Sequence, residues 1–143
     1  MKYIHTMRHG IDMAYSRNQQ QFYNWCSYFG IEIPETYNLL PKAVLNYWIK
    51  ANQRSIALGR NLLGKRFLVI NFDEMCYSPR QHVEKMLRFL EVDIDNVNMT
   101  ILCNLIRVPQ SIGRYKAHDL SIFEEQEIFA VKNLGFEVEY KRS

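Results

Sequence analysis

The sequence predicts an α/β fold that is rich in helices and contains a short parallel sheet of two or three strands. Segments 2–7 and 66–72 are short and rich in β-forming residues, and the second is a nearly continuous apolar run, as in parallel strands covered on both faces. Helical patterns lie between and after these strands, an order typical of α/β proteins. The 143 residues are predicted to form a single domain over 1–143.

The first strand, at residues 2–7, is predicted to end at a turn that begins with Arg8. A helix is expected over residues 11–20, with Asp12 in its first turn, where a carboxylate interacts favourably with the helix dipole. Residues 21–40 are aromatic and contain several turn-forming residues. We expect this segment to combine the tail of a helix with an excursion loop.

A long helix is predicted from Pro41 to about Gly64, because apolar residues recur there at helical spacing. The second strand follows at 66–72. Residues 78–81, Ser-Pro-Arg-Gln, form a capping-box pattern with proline at the first helical position. The helix that they begin carries one apolar stripe. Its members are Val83, Met86, Leu87 and Leu90.

The last part of the chain is predicted to be mainly helical. A shorter helix is expected at 95–106. Residues 121–124, Ser-Ile-Phe-Glu, form a second capping-box pattern, whose helix should end near Asn133. Residues 136–140 are a candidate third strand. Two or three strands are few for a doubly wound sheet, so the chain is predicted to be part of a larger fold.

Composition and charge favour a soluble protein with an anionic ligand. The net charge is +3, and no run of five basic residues marks a nucleic-acid-binding tail. Cys26, Cys76 and Cys103 are far apart, which argues for a reducing compartment and against disulfides or a zinc site. The sequence begins without the apolar segment of a signal peptide and contains no membrane-spanning run. A cytoplasmic location is therefore expected, without a membrane or metal partner.

The most informative pattern is an arginine after the first strand and a serine eight residues later, Arg8 and Ser16. A forked guanidinium can bind two oxygens of one phosphate, and a hydroxyl can add a short hydrogen bond. This stretch resembles the 3'-phosphate-binding motif of sulfotransferases. His9 differs from the Asp or Asn that often follows this arginine in the family. A surface ion pair for Arg8 and a solvated helix face for Ser16 are the structural alternatives.

Two later segments resemble the same family, in the family's order. Phe72 ends the second strand, at a position where some sulfotransferases have an aromatic residue packed against adenine. The alternative for Phe72 is a place in the core. The segment with Gly113, Arg114 and Lys116 resembles the late segment that closes over the 3'-phosphate. Its alternative is a flexible basic loop.

The resemblance implies a partial P-loop-like, three-layer sulfotransferase fold. It also implies a cofactor, 3'-phosphoadenylyl sulfate (PAPS) or its product adenosine 3',5'-bisphosphate (PAP), and transfer of a sulfuryl group to a hydroxyl or amine. In the family, a Gly-rich P-loop and the catalytic base precede the position of Arg8. The chain is therefore expected to lack the N-terminal part of the fold, and its catalytic residues are unknown.

In related folds, the missing strand lies between the two strands predicted here. We expect a gap that is filled by a second copy, by a rearranged sheet or by a separate N-terminal half. A catalytically inactive sulfotransferase fragment that acts as an oligomerising or interaction module is the alternative function. A nucleic-acid-binding domain is disfavoured, because most aromatic residues have core spacing. Residues 21–40 are the expected place of the acceptor pocket.

Overall fold

The computed structural model describes residues 1–139. The chain forms two compact units. The first, called the strand unit, consists of Met1–Arg8 and Ser55–Pro109. The second, called the helical unit, consists of His9–Arg54 and, among the described residues, 110–139. The secondary structure is α/β and rich in helices, with a short parallel sheet, as the sequence predicts.

The sheet of the strand unit has two strands, β1 (Tyr3–Met7) and β2 (Phe67–Asn71). They run parallel and pair directly, in a register that matches Tyr3 to Phe67 and Met7 to Asn71. Of the three expected ways to fill the gap between these strands, the described sheet shows the rearrangement, in which the two strands pair with each other. Direct pairing satisfies the backbone groups that a gap would have left without hydrogen bonds.

The helices before β2 are, in chain order, α1 (Gly10–Ala14), α2 (Gln20–Trp25) and α3 (Leu40–Leu63). The helices after β2 in the strand unit are α4 (Phe72–Tyr77), α5 (Pro79–Leu90) and α6 (Met99–Leu105). The sequence did not predict α4, which begins because the Asn71 side chain accepts hydrogen bonds from the N–H groups of Asp73 and Glu74. Pro79 begins α5 as predicted, but the Ser78 side chain makes no capping bond, so that capping box is wrong.

The long helix α3 confirms the prediction made from Pro41 onward, and its first part, up to Arg54, belongs to the helical unit. Its buried residues in that unit include Val44, Leu45 and Trp48. A Cβ on Gly10 would lie only 2.5 Å from the Trp48 ring. Only glycine therefore lets α1 begin this close to α3.

The predicted helix over 11–20 is wrong beyond Ala14, where α1 ends. The Gln19 side-chain amide explains the break, because its nitrogen donates to the carbonyl oxygens of Met13, Ala14 and Ser16 at 2.8–3.2 Å. The side chain thus satisfies carbonyl groups that a continuing helix would have bonded. The next helix, α2, begins one residue later.

The final helix of the helical unit, α7, spans Glu125–Asn133 and ends where the sequence predicts. The capping box at residues 121–124 is wrong. The backbone N–H of Glu124 instead donates to the buried Glu127 carboxylate at 2.7 Å. Residues 136–139 contain no strand, and Tyr140, the last residue of the candidate third strand, lies outside the described residues. The described helices include none that is long and apolar enough to cross a membrane.

Candidate functional site

The strand unit brings Arg8 and Phe72 together at the carboxyl edge of its sheet. The two strands end in register at Met7 and Asn71, so Arg8 and Phe72 are the next residue on each strand. The guanidinium carbon of Arg8 lies over the Phe72 ring, 5.5 Å from its centroid. Such a cation–π contact contributes about 0.5–1 kcal/mol and restricts where the guanidinium can point.

The charge of Arg8 also affects the interior next to this edge. The Cys76 thiol is buried in α4, and burial raises its pKa, with a smaller contribution from the Asp73 carboxylate. The positive charge of Arg8 acts in the opposite direction and lowers that pKa. Arg8 is therefore a cation on a partly buried surface, where its field is screened less than it would be in open solvent.

In the helical unit, Asp12 anchors the segment that carries three predicted site residues. Its carboxylate is only 3% exposed and accepts hydrogen bonds from the N–H groups of Gly113, at 2.7 Å, and Tyr115, at 2.9 Å. Gly113 has φ +80°, a left-handed conformation that favours glycine. Asp12 thus holds in place a turn that lies more than 100 residues after it in the sequence.

His9 has a structural role that accounts for its difference from the family pattern. Its Nδ1 accepts a hydrogen bond from the N–H of Ile11 at 3.2 Å, so His9 caps α1 as an Asp or Asn can. Its Nε2 lies 2.9 Å from the Glu137 carbonyl oxygen, to which it donates in the neutral, Nε2-protonated form. The ring is buried and stacks on Tyr115 with centroids 4.6 Å apart.

The remaining predicted ligands lie around this turn. An Arg114 guanidinium nitrogen is 3.4 Å from the Tyr15 carbonyl oxygen, which belongs to the peptide that joins Tyr15 to Ser16. The structure therefore places Arg114 beside the Ser16 backbone. Lys116 forms an exposed ion pair with Glu139, with nitrogen and oxygen 2.8 Å apart, and this contact lowers the pKa of the Glu139 carboxyl.

A cavity of about 530 Å³ borders Ser16 in the helical unit. Its lining is rich in side-chain amides, from Asn18, Gln19, Gln20, Gln21 and Asn24. Its apolar wall includes the buried Phe22 and Trp48, and Trp25, which also lines the cavity, is 55% exposed. A second cavity, of about 460 Å³, is lined only by residues between Tyr23 and Ile33.

The sequence did not identify Asp12 as the anchor of this turn, nor the cavity beside Ser16. Asp12 was noted only for its place in a first turn, and no local pattern signals hydrogen bonds to Gly113 and Tyr115. The first cavity overlaps the expected acceptor segment, residues 21–40, only in part, whereas the second lies wholly within it. The described residues contain no group of three or more His, Cys, Asp or Glu side chains that could hold a metal ion.

Arg8 thus lies at the carboxyl ends of the parallel strands, which is where open α/β sheets bind their ligands. A family model described as "Sulfotransferase family" matches residues 1–96, about two thirds of the chain. The chain belongs to the sulfotransferase family. The matched region includes Arg8, Ser16 and Phe72, and the segment with Gly113 lies beyond it. Neither a curated protein nor a solved structure matches the chain.

Proposed function

We propose that this chain binds the 3'-phosphate of PAPS or PAP, and that it serves the transfer of a sulfuryl group to a hydroxyl or amine acceptor. The observation that carries the proposal is the pairing of Arg8 with Phe72 at the carboxyl edge of the parallel strands, in a chain of the sulfotransferase family. Ligands of open α/β sheets bind at this edge.

The chemistry of the two side chains fits a nucleotide phosphate. A guanidinium that stacks on an aromatic ring uses its face, whereas its N–H groups donate in its plane. A position over the Phe72 ring is therefore compatible with donation from Arg8 to a phosphate oxygen. Phe72 is half-buried, and the proposal gives it a contact with the adenine.

We further propose that Ser16, Arg114 and Lys116 of the helical unit contribute to phosphate binding. Gly113 supports this role through its left-handed backbone, since its N–H already donates to Asp12. Arg114 supplies a second guanidinium beside the Ser16 peptide. Lys116 can contribute only if it exchanges the Glu139 carboxylate for a phosphate. That all of these residues bind one phosphate stays a prediction from the sequence.

The test is calorimetric titration of the chain with PAP and with adenosine 5'-monophosphate, which lacks the 3'-phosphate. We expect PAP to bind more tightly, and Arg8→Ala to weaken PAP binding at least about tenfold, or about 1.4 kcal/mol. Arg66→Ala is the matched control, because Arg66 is an exposed arginine that precedes β2, at the opposite edge of the sheet. Equal PAP affinity for the parent and Arg8→Ala chains refutes the assignment.

Sulfuryl transfer is proposed for the chain when a P-loop segment completes it, supplied by a separate N-terminal half. Incubation with the sulfated donor, with and without such a segment, separates the two functions considered. Release of PAP that depends on an acceptor supports transfer. Nucleotide binding without transfer in either case supports the non-catalytic interaction module.

A further inference from the structure

The cavity beside Ser16, called the amide cavity, has an unusual lining. Five of its twelve lining side chains are amides, and none of the twelve is Asp, Glu, Lys, Arg or His. Its volume, about 530 Å³, lies in the range of about 300–1,000 Å³ that is typical of ligand sites. A charged ligand would find no opposite charge among these side chains, so the lining favours an uncharged one.

The amides can recognise hydroxyl groups. Each amide has both donors and an acceptor, and a hydroxyl likewise both donates and accepts. Asn18, Gln20, Gln21 and Asn24 are exposed. Within this group, the Gln20 amide nitrogen donates to Asn24 Oδ1 at 2.8 Å, and Asn18 Oδ1 accepts the backbone N–H of Gln20 at 3.0 Å. The remaining amide, Gln19, is held in place, because its nitrogen donates to three backbone carbonyl groups. The polar side of the cavity therefore combines Gln19 with four exposed amides, three of which are linked by hydrogen bonds to one another.

The other side of the cavity is aromatic. Trp25, Tyr47 and Trp48 all line the cavity, and Trp25 is 55% exposed. An exposed tryptophan beside several amides offers a flat apolar surface next to groups that bind hydroxyls. The C–H face of a sugar ring fits the aromatic surface, and the hydroxyls at its rim fit the amides. An aromatic or aliphatic alcohol with one hydroxyl would leave most of the amides unused.

We propose that the amide cavity binds an uncharged, hydroxyl-rich ligand of the saccharide class. Identifying this ligand as the sulfuryl acceptor rests on the proposed function, whereas the binding site itself does not. The chain contains two tryptophans, Trp25 and Trp48, and both line the cavity. Intrinsic tryptophan fluorescence is therefore a direct probe of occupancy.

The experiment is a fluorescence titration without nucleotide, using the methyl glycosides of glucose, galactose, mannose and xylose. Cyclohexanol, a single ring with one hydroxyl, and glucuronate, a charged sugar, are the comparison ligands. We expect a saturable change with at least one neutral glycoside, and affinity at least about fivefold weaker for both comparison ligands, since each loses matched contacts. No saturable change with any glycoside, or tighter binding of cyclohexanol or glucuronate, overturns the proposal.

Variants provide the second arm. Trp25→Ala is expected to weaken glycoside binding about fivefold, with Trp48 still reporting occupancy. Tyr37→Ala removes an aromatic ring that is more exposed than Trp25 and lines neither cavity, and it should leave binding unchanged. Equal effects of the two variants contradict the site. Glycoside binding by a chain that fails to bind PAP in calorimetry would refute the proposed function and leave the saccharide site standing.

Discussion

Replacement of Asp12 tests how the Gly113 turn is held in place. Its two carboxylate oxygens accept one N–H each, from Gly113 and from Tyr115. A hydrogen bond to a charged group contributes about 1.5–3 kcal/mol, and a buried N–H left without an acceptor costs about 1–3 kcal/mol. Asp12→Asn keeps one acceptor oxygen and turns an NH₂ donor toward the other N–H. The Asp12→Asn substitution should therefore lower the free energy of unfolding by about 2 kcal/mol.

The assay is thermal unfolding followed by circular dichroism. For a chain of this length, 1 kcal/mol corresponds to a shift of roughly 2–4 °C in Tm, so Asp12→Asn should lower Tm by about 6 °C. Asp12→Ala, which removes both acceptors, should lower it further. Asp119→Asn is the matched control, because Asp119 also accepts a backbone N–H but is exposed. Its Tm should change much less.

Hydrogen exchange gives a local measurement of the same effect. The amide protons of Gly113 and Tyr115 should exchange faster in Asp12→Asn, and PAP affinity should fall if this turn carries phosphate ligands. An Asp12→Asn chain that melts within about 1 °C of the parent, with unchanged protection of both amides, refutes the role of Asp12 as an anchor.

Three further predictions concern close packing, one ion pair and one aromatic ring. Gly10→Ala should destabilise the chain by about 1–3 kcal/mol in urea unfolding, because the new Cβ would meet the Trp48 ring at 2.5 Å. Lys116→Ala should raise the lowered pKa of Glu139 toward its ordinary value in a carboxyl NMR titration. Because that pKa is lowered in the fold, the ion pair stabilises the parent above the unfolded pKa and loses this effect as the pH falls through the folded one. Phe72→Leu should weaken PAP binding in calorimetry by removing the ring, whereas Phe72→Tyr should retain it.

The sequence predicted the elements whose signals are local. The apolar run of β2 and the helical spacing of α3 lie within single segments, and both elements are found where they were expected. Arg8, which follows β1, was proposed as a ligand from its resemblance to a sulfotransferase motif, and that role stays a prediction. Parallel strands end at one edge of their sheet, which explains why the neighbouring strand ends, Arg8 and Phe72, are found together.

The errors arose where a distant residue or a single side chain decides the structure. The end of α1 depends on the Gln19 amide, and the start of α7 depends on the buried Glu127 carboxylate. Neither interaction changes the hydrophobic pattern from which helix bounds were predicted. The direct pairing of β1 with β2 is a property of the whole sheet, and the expected gap, which a rearranged sheet was one way to fill, came from related folds, not from these residues.

The most direct test of the central claim is the phosphorus NMR spectrum of PAP as this chain is added. PAP carries one phosphate on each side of its ribose, so the two resonances report separately on the two ends of the ligand. We predict that the 3'-phosphate resonance shifts and broadens more than the 5'-phosphate resonance, and that Arg8→Ala abolishes this difference. Two resonances that respond equally in the parent chain, or a 3'-phosphate response that survives in Arg8→Ala, would contradict recognition of the 3'-phosphate by Arg8.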